Sequence, residues 1–330
     1  MQRFYATRST SADPLEIKGG RLFIFMLRCP MDQKPSLGYW LQYILVRLLA
    51  FLATVLPVEA SHQVACAFGT LSYWVLGKRR RIALENIANA LGDSLPDRRK
   101  KEIARAAFQS AALSMMELFT VEKIKKEAAT RFKLYGNEFL EEAFSKNQGV
   151  VLVISHLGSW EYLSFLPFFT KRPWSVVVKN IKNPYLNTAI DAMRRVMTVN
   201  PISKDSSVRA LFQELRAGHG VAILVDQWSG PDGLWVDFFN TGTSTTSIPA
   251  RLSEKTGCAL VSAYCLRTTP GHYEIHIEKP IAHNMEQPGW ENTITKDLNE
   301  VLERQIRTHP EQWLWGHRRW KDKPDNLRNV

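Results

Sequence analysis

The chain has 330 residues, 45% hydrophobic and 11% aromatic, enough apolar material for a sizeable core and too much for a disordered protein. Lys and Arg number 43 against 32 Asp and Glu, and this formal charge of +11 points to polyanionic partners: anionic lipid, an acidic carrier protein or nucleic acid. The four cysteines, Cys29, Cys66, Cys258 and Cys265, make no C-x-x-C pair and no zinc-ligand spacing, so buried thiols in a reducing compartment are expected, with no disulfide scaffold and no metal.

Residues 1–36 read as a polar, mobile extension; the apolar run Leu22–Leu27 is too short for a secretory signal. The most apolar stretch follows, from Leu37 to Val58. As a helix its 22 residues would extend roughly 33 Å, close to the hydrocarbon thickness of a bilayer. Tyr39, Trp40 and Tyr43 suit a membrane interface, whereas Arg47 would cost about 2.5–3.5 kcal/mol at a membrane centre unless its stem snorkels. A tilted anchor, an interfacial helix and a buried soluble helix all fit. Trp74, Val75 and Leu76 then lead into Lys78-Arg79-Arg80-Arg81, which suits an anionic leaflet or a solvated helix start.

Leu84, Ile87, Ala88 and Leu91 recur at helical spacing; Gly92-Asp93-Ser94 and Pro96 end that helix, and another starts near Asp97. Ile103, Ala107, Ser110, Ser114 and Leu118 give the second helix a narrow inner face, so residues 60–130 read as helical. The pattern then changes. Gly149–Ile154, Trp174–Val178, Val221–Val225 and Ala259–Tyr264 are short apolar runs, consistent with strands covered on both faces. Between them lie helical patterns at Asn187–Met197 and Ser207–Ala217, and a last helix spans Trp290–Thr308. The alternation predicts a three-layer α/β domain with a mostly parallel sheet, and no linker divides residues 59–330.

The first of these strands runs into Ser155-His156-Leu157-Gly158-Ser159-Trp160-Glu161. Catalytic groups in open α/β sheets favour the carboxyl ends of strands, and an imidazole there can take a proton from a hydroxyl. Gly158 allows a tight turn. A carboxylate five residues on can fold back to bond the other ring nitrogen, which assigns Glu161 to orienting His156. No G-x-S-x-G, P-loop or H-E-x-x-H pattern appears, so a covalent serine enzyme or nucleotide hydrolase would have to use an unfamiliar site; the expected reaction is direct attack, with no metal or organic cofactor required.

His156 and Glu161 match the H-x4-[DE] signature of glycerolipid-type acyltransferases, within the lysophospholipid acyltransferase-like superfamily. The wider context resembles the late acyltransferases of bacterial lipid A biosynthesis, the lauroyl and myristoyl transferase group. The blocks that carry the resemblance are Arg81–Ile87, Lys179–Pro184, Val225-Asp226-Gln227, Phe238-Phe239 with Thr243–Ser247, and Pro310–Lys321, in that order. It implies an acyl-carrier-protein thioester as donor, an anionic glycolipid hydroxyl as acceptor, and a bacterial inner-membrane location with the catalytic domain facing the cytoplasm. It further implies that His156 is general base, Glu161 its partner, Asp226 a supporting acid, and that Arg194 or Arg195 holds anionic substrate or the charged intermediate. Gly158, Lys179, Asn183, Arg195 and Gln227 become candidate substrate contacts, and the oxyanion would be met by backbone amides near Gly158 or by a cation at 179, 194 or 195.

Three positions depart from the family pattern. Lys179 stands where Arg is common, Trp228 where a second Asp is common, and Asn240 where Gly is usual. These bear on the acceptor, so another glycolipid or phospholipid is the alternative acceptor. Phe238-Phe239 reads more readily as core than as acyl-chain contact, Asp226 could cap a turn, and Trp313–Trp320 could be a packed terminus. A basic membrane adaptor without catalysis is the rival from another class; nucleic-acid binding is disfavoured, because no aromatic-studded basic motif is present.

Overall fold

A computed structural model describes residues 36–92, 95–204, 208–282 and 284–321. The extension expected over residues 1–36 lies, apart from Ser36, outside the described residues, as does Cys29.

The described chain begins with four helices: α1 (Leu37–Val55), α2 (Val58–Val75), α3 (Gly77–Leu91) and α4 (Asp97–Lys126). α1 stops earlier than expected because Pro57 disfavours helical geometry at Leu56, which is extended with ψ 148°. α4 is 30 residues long, and all five residues of its expected inner face are buried. After the short α5 (Ala128–Arg131) come β1 (Phe132–Tyr135), α6 (Asn137–Ser145) and β2 (Val150–Ile154). A 3₁₀ turn at Trp160–Phe165 runs into α7 (Leu166–Thr170), followed by β3 (Trp174–Val178), α8 (Pro184–Val196), β4 (Val199–Ser203), α9 (Val208–Arg216) and β5 (Gly220–Leu224). The chain continues through β6 (Leu234–Phe238), β7 (Thr241–Thr245), α10 (Ile248–Thr256), β8 (Ala259–Thr269), β9 (His272–Ile277) and α11 (Trp290–Thr308).

Seven strands form one sheet in the order β1-β9-β8-β2-β5-β3-β4. Only the β8–β9 pair is antiparallel. The expected α/β class with a mostly parallel sheet is therefore observed, and the continuous apolar runs have the expected cause. Along β2, Val151 and Val153 enter one core cluster, with α3, α4, α9, α10 and α11. Val150, Leu152 and Ile154 enter the other, with α6 and the Trp160–Phe165 turn. Strands β1, β4 and β9 and the β6–β7 hairpin were not foreseen. β4 contains Pro201, which an edge strand tolerates because it has a free side. The hairpin loop is Phe239-Asn240, with φ of 53° and 56°; Asn tolerates this left-handed region and does the work that Gly does elsewhere.

α1 docks through Ala50 and Ala53 onto α4 and α8. At the other end of the fold the chain leaves α11, turns at Pro310–Gln312 and crosses the carboxyl edge of the sheet, where Leu157 bridges Trp313. The buried Asn86 of α3 holds this strap, its Nδ2 donating to the carbonyls of Trp315 at 2.8 Å and His317 at 2.7 Å. Asn86→Leu leaves both carbonyls without that donor, at about 1–3 kcal/mol per buried group. Its thermal unfolding midpoint should fall by several degrees, and a midpoint equal to wild type would show that the strap is held elsewhere.

Candidate active site

Strands β2 and β5 are parallel neighbours in which Ile154 pairs with Leu224. His156 and Asp226 each lie two residues past that pair, so the register delivers both to the same place on the carboxyl edge. Asp226 Oδ1 lies 2.8 Å from His156 Nδ1, and Oδ2 accepts the His156 backbone N–H at 2.8 Å. Oδ2 also accepts the indole N–H of Trp313 at 2.8 Å.

This corrects the role expected of Glu161. The carboxylate that bonds the His156 ring comes from the adjacent strand end, because residues 160–165 wind forward into a 3₁₀ turn instead of folding back. Glu161 instead forms a bidentate pair with Arg194 of α8, with Oε1 2.7 Å from Nη2 and Oε2 3.1 Å from Nε. Arg194 Nη1 also donates to Asp191 at 3.3 Å. Of the two candidate arginines, Arg194 joins the signature motif, whereas Arg195 is exposed.

The electrostatics follow from this geometry. Burial alone would raise the Asp226 carboxyl, but the His156 charge, its two hydrogen bonds and the Trp313 donor outweigh burial and hold it at about 2. A carboxylate accepts only, so Nδ1 carries the proton it donates to Asp226, and in the neutral ring Nε2 holds the lone pair. Burial lowers the His156 pKa, and the charge and hydrogen bond of Asp226, helped by Glu161, reverse this to leave it above 6.5. The Gln227 amide lies across the ring, with Nε2 3.3 Å from His156 Nε2.

Other expected contacts turn out to be structural. Gly158 has φ 61°, and a Cβ there would collide with the Cys265 carbonyl oxygen. Its N–H donates to the Gln312 carbonyl at 3.0 Å, and that of Ser159 to Cys265 at 2.7 Å. These two amides are therefore occupied and are no oxyanion donors. Asn183, expected to touch substrate, is buried; its Oδ1 caps α8 through Tyr185 N–H and Leu186 N–H, and its Nδ2 donates to the Tyr39 carbonyl of α1. Lys179 is exposed at the end of β3, two strands from β2. Phe238 and Phe239 are core residues against Trp313, Trp315 and Trp320. Trp313 was not foreseen as part of the site; its indole reaches Asp226 across 87 positions of sequence, a distance over which local pattern carries no signal.

A histidine held by a buried carboxylate at the edge of a parallel sheet, with an arginine bound to the carboxylate five residues on, is equipped to activate an acceptor for group transfer. A family model described as bacterial lipid A biosynthesis acyltransferase matches residues 33–322, and the chain belongs to that family. It is therefore an acyltransferase. It is 23% identical to the lipid A biosynthesis lauroyltransferase of Escherichia coli K12, over 88% of this chain and 94% of that protein. It is 24% identical to the palmitoleoyltransferase of the same organism, over 87% and 92%. To the phosphatidylinositol mannoside acyltransferase of Mycobacterium tuberculosis it is 23% identical, over 72% and 75%.

Only the neutral ring can accept a proton, and the folded His156 pKa lies above 6.5. The acid limb of kcat/KM should thus lie above pH 6.5, activity rising with pH through it. Asp226→Asn removes the charge that raises this pKa. It should move the limb to lower pH and cut kcat by about 10²–10⁴. A pH–rate profile measures both, and an unmoved limb would remove Asp226 from the ring's partnership.

Proposed function

We propose that the protein transfers a fatty acyl chain from an acyl-carrier-protein thioester to a hydroxyl of a lipid A precursor, at the cytoplasmic face of a bacterial inner membrane. The observation that carries the reading is the Asp226–His156 pair at the carboxyl ends of β2 and β5, in which the carboxylate engages Nδ1 and leaves Nε2 as the ring nitrogen that can serve as base. Family membership supports acyl transfer, and the names of the first relatives support lipid A as acceptor. His156 Nε2 takes the proton of the acceptor hydroxyl as its oxygen bonds the thioester carbonyl carbon. The tetrahedral intermediate collapses with cleavage of the C–S bond, and the imidazolium returns the proton to the departing thiolate. The Arg194 cation, fixed by Glu161, is the candidate for stabilising the oxyanion. Direct attack fits the surroundings of the base: the hydrogen-bond partners of its ring are Asp226 and Gln227, and burial pushes the Cys265 thiol well above its usual pKa.

The membrane part of the reading rests on two exposed apolar faces. On α1 they are Leu37, Leu41, Ile44, Leu45, Leu48, Phe51 and Val55, all at helical spacing. On α2, Phe68, Leu71, Trp74 and Val75 are exposed just ahead of Lys78–Arg81. At 19 residues α1 is long and apolar enough to cross a bilayer, and Arg47 lies at the flank of its stripe, 5.6 Å over the Tyr43 ring. Leu41→Asp with Leu48→Asp should shift the protein from floating with anionic vesicles to the soluble fraction. Undiminished flotation would place membrane binding elsewhere.

Detergent-solubilised enzyme incubated with acyl-carrier-protein thioesters and a tetra-acylated lipid A precursor tests the chemistry. A mass gain of one acyl chain that is lost in His156→Ala is the expected result. Thioester consumption only on mixed membrane lipids would move the acceptor to another lipid, as the mannoside-acylating relative and the Trp228 and Lys179 departures would accommodate. No turnover on either substrate would overturn the reading in favour of a membrane adaptor.

A further inference from the structure

Beneath the turn that joins His156 to Glu161 lies a second ion pair that the reaction above does not use. Glu117 of α4 and Arg267 of β8 have side chains only 6% and 8% exposed. Arg267 Nε lies 2.6 Å from Glu117 Oε1, and Nη2 lies 2.9 Å from Oε2. Nη2 also donates to the Gly158 carbonyl at 2.9 Å, and Ser114 Oγ lies 3.0 Å from that same oxygen. Ser159 Oγ donates to Glu117 Oε1 at 2.9 Å. Gln312 closes the cage: its side chain bonds the Arg267 backbone on both sides, at 3.1 Å each, while its carbonyl accepts the Gly158 N–H. Both polar groups of the Gly158–Ser159 peptide, the Gly158 carbonyl and the Ser159 N–H, and the Ser159 hydroxyl are thus fixed from below.

A buried ion pair is a weak source of stability, because desolvating two charges costs about as much as their attraction returns. Apolar side chains would fill the same space. What they could not supply is donors to the Gly158 carbonyl and an acceptor for Ser159 Oγ. These contacts set the path of the chain between the base and Glu161, which stands two residues beyond Ser159 and carries Arg194. A rotation of this turn would move Glu161, and with it the carboxylate that pairs with Arg194 of α8, relative to the imidazole.

We infer that Glu117 and Arg267 are positioning residues for acyl transfer: their hydrogen bonds to Gly158 and Ser159 hold the His156–Glu161 turn in its reactive geometry. The inference rests on the proposed reaction. Two double variants of the full-length, detergent-solubilised enzyme test it. Ser114→Ala with Ser159→Ala removes two hydroxyl contacts and little volume. Glu117→Leu with Arg267→Met replaces the pair by apolar groups, a change the fold is expected to tolerate. A misplacement of about 1 Å costs up to about 10²-fold in rate. We expect kcat to fall by about 10-fold or more in both, with KM within about 3-fold of wild type, because ground-state binding is untouched. The unfolding midpoint should fall by no more than several degrees, so that the variants remain folded at the assay temperature. Hydrogen exchange followed by mass spectrometry should show peptides covering residues 157–161 exchanging faster, with strands β2 and β5 unchanged.

Near-wild-type kcat in either variant overturns the inference, as does unchanged exchange at 157–161. A loss of activity that tracks the loss of folded protein, with kcat and midpoint falling together, overturns it in favour of a structural role. A wild-type enzyme silent on every acyl donor and lipid overturns the proposed reaction instead, and exchange still reports whether the pair anchors the turn.

Discussion

The structure turns on one carboxylate. Asp226 is 2% exposed, and a lone carboxylate at that depth would take up a proton. It stays ionised because three donors converge on it: the Nδ1 and backbone N–H of His156 and the Trp313 indole. The same three bonds fix the tautomer of the base, the backbone that carries it, and the strap that closes over both. None would form without the parallel register of β2 and β5, since a slip by one residue would turn one partner to the opposite face of the sheet. The apolar alternation that buries β2 on two faces enforces that register, so core packing and the geometry of the base have a common origin.

The strap raises the same problem with the opposite sign. Arg319 is fully buried, and burial lowers its pKa to about 10, with Asp226 offsetting part of that. It remains a cation at neutral pH. Its Nη1 donates to the carbonyls of Gln227 and Ser244 and its Nη2 to the Thr245 hydroxyl, while the guanidinium lies 4.9 Å over the Phe238 ring. Small hydroxyl residues and a Phe-Phe pair at the β6–β7 hairpin are therefore the socket of a C-terminal arginine. Through the Gln227 carbonyl this socket also sets the segment that bears the amide over His156.

The layers of the fold were legible from the chain because burial on both faces writes itself as continuous apolar runs; Trp174–Val178 and Trp290–Thr308 agree with the structure residue for residue. Short edge strands left no such mark: β1 has four residues, and β4 includes a proline. At the site, His156 announced itself by its place after a strand, whereas Asp226 entered only through the resemblance of Val225-Asp226-Gln227 to a family block. The pairing was misjudged because sequence spacing favours Glu161, at five residues, over a carboxylate 70 residues away. Strand register is a long-range property that spacing cannot express. Asn183 looked like a substrate contact for a related reason: a cap and a contact with α1 leave the same sequence trace as a binding residue.

Two carboxylate–arginine pairs flank the turn after His156, and their settings divide the labour between them. Glu117–Arg267 lies below the turn, with side chains 6% and 8% exposed and little solvent to compete for its hydrogen bonds. Glu161–Arg194 lies above it, each side chain 14% exposed, and the arginine is shared with Asp191. The field of a charge falls off less where water is excluded, and water that remains allows the pair to reorganise. A more deeply buried lower pair and a more exposed upper one suit the chemistry proposed here. The base needs fixed geometry at all times, whereas the cation must meet an oxyanion that exists only in the transition state. Because both pairs bond one five-residue turn, the carboxylate that meets the Arg194 cation is placed by a chain segment that the buried pair holds.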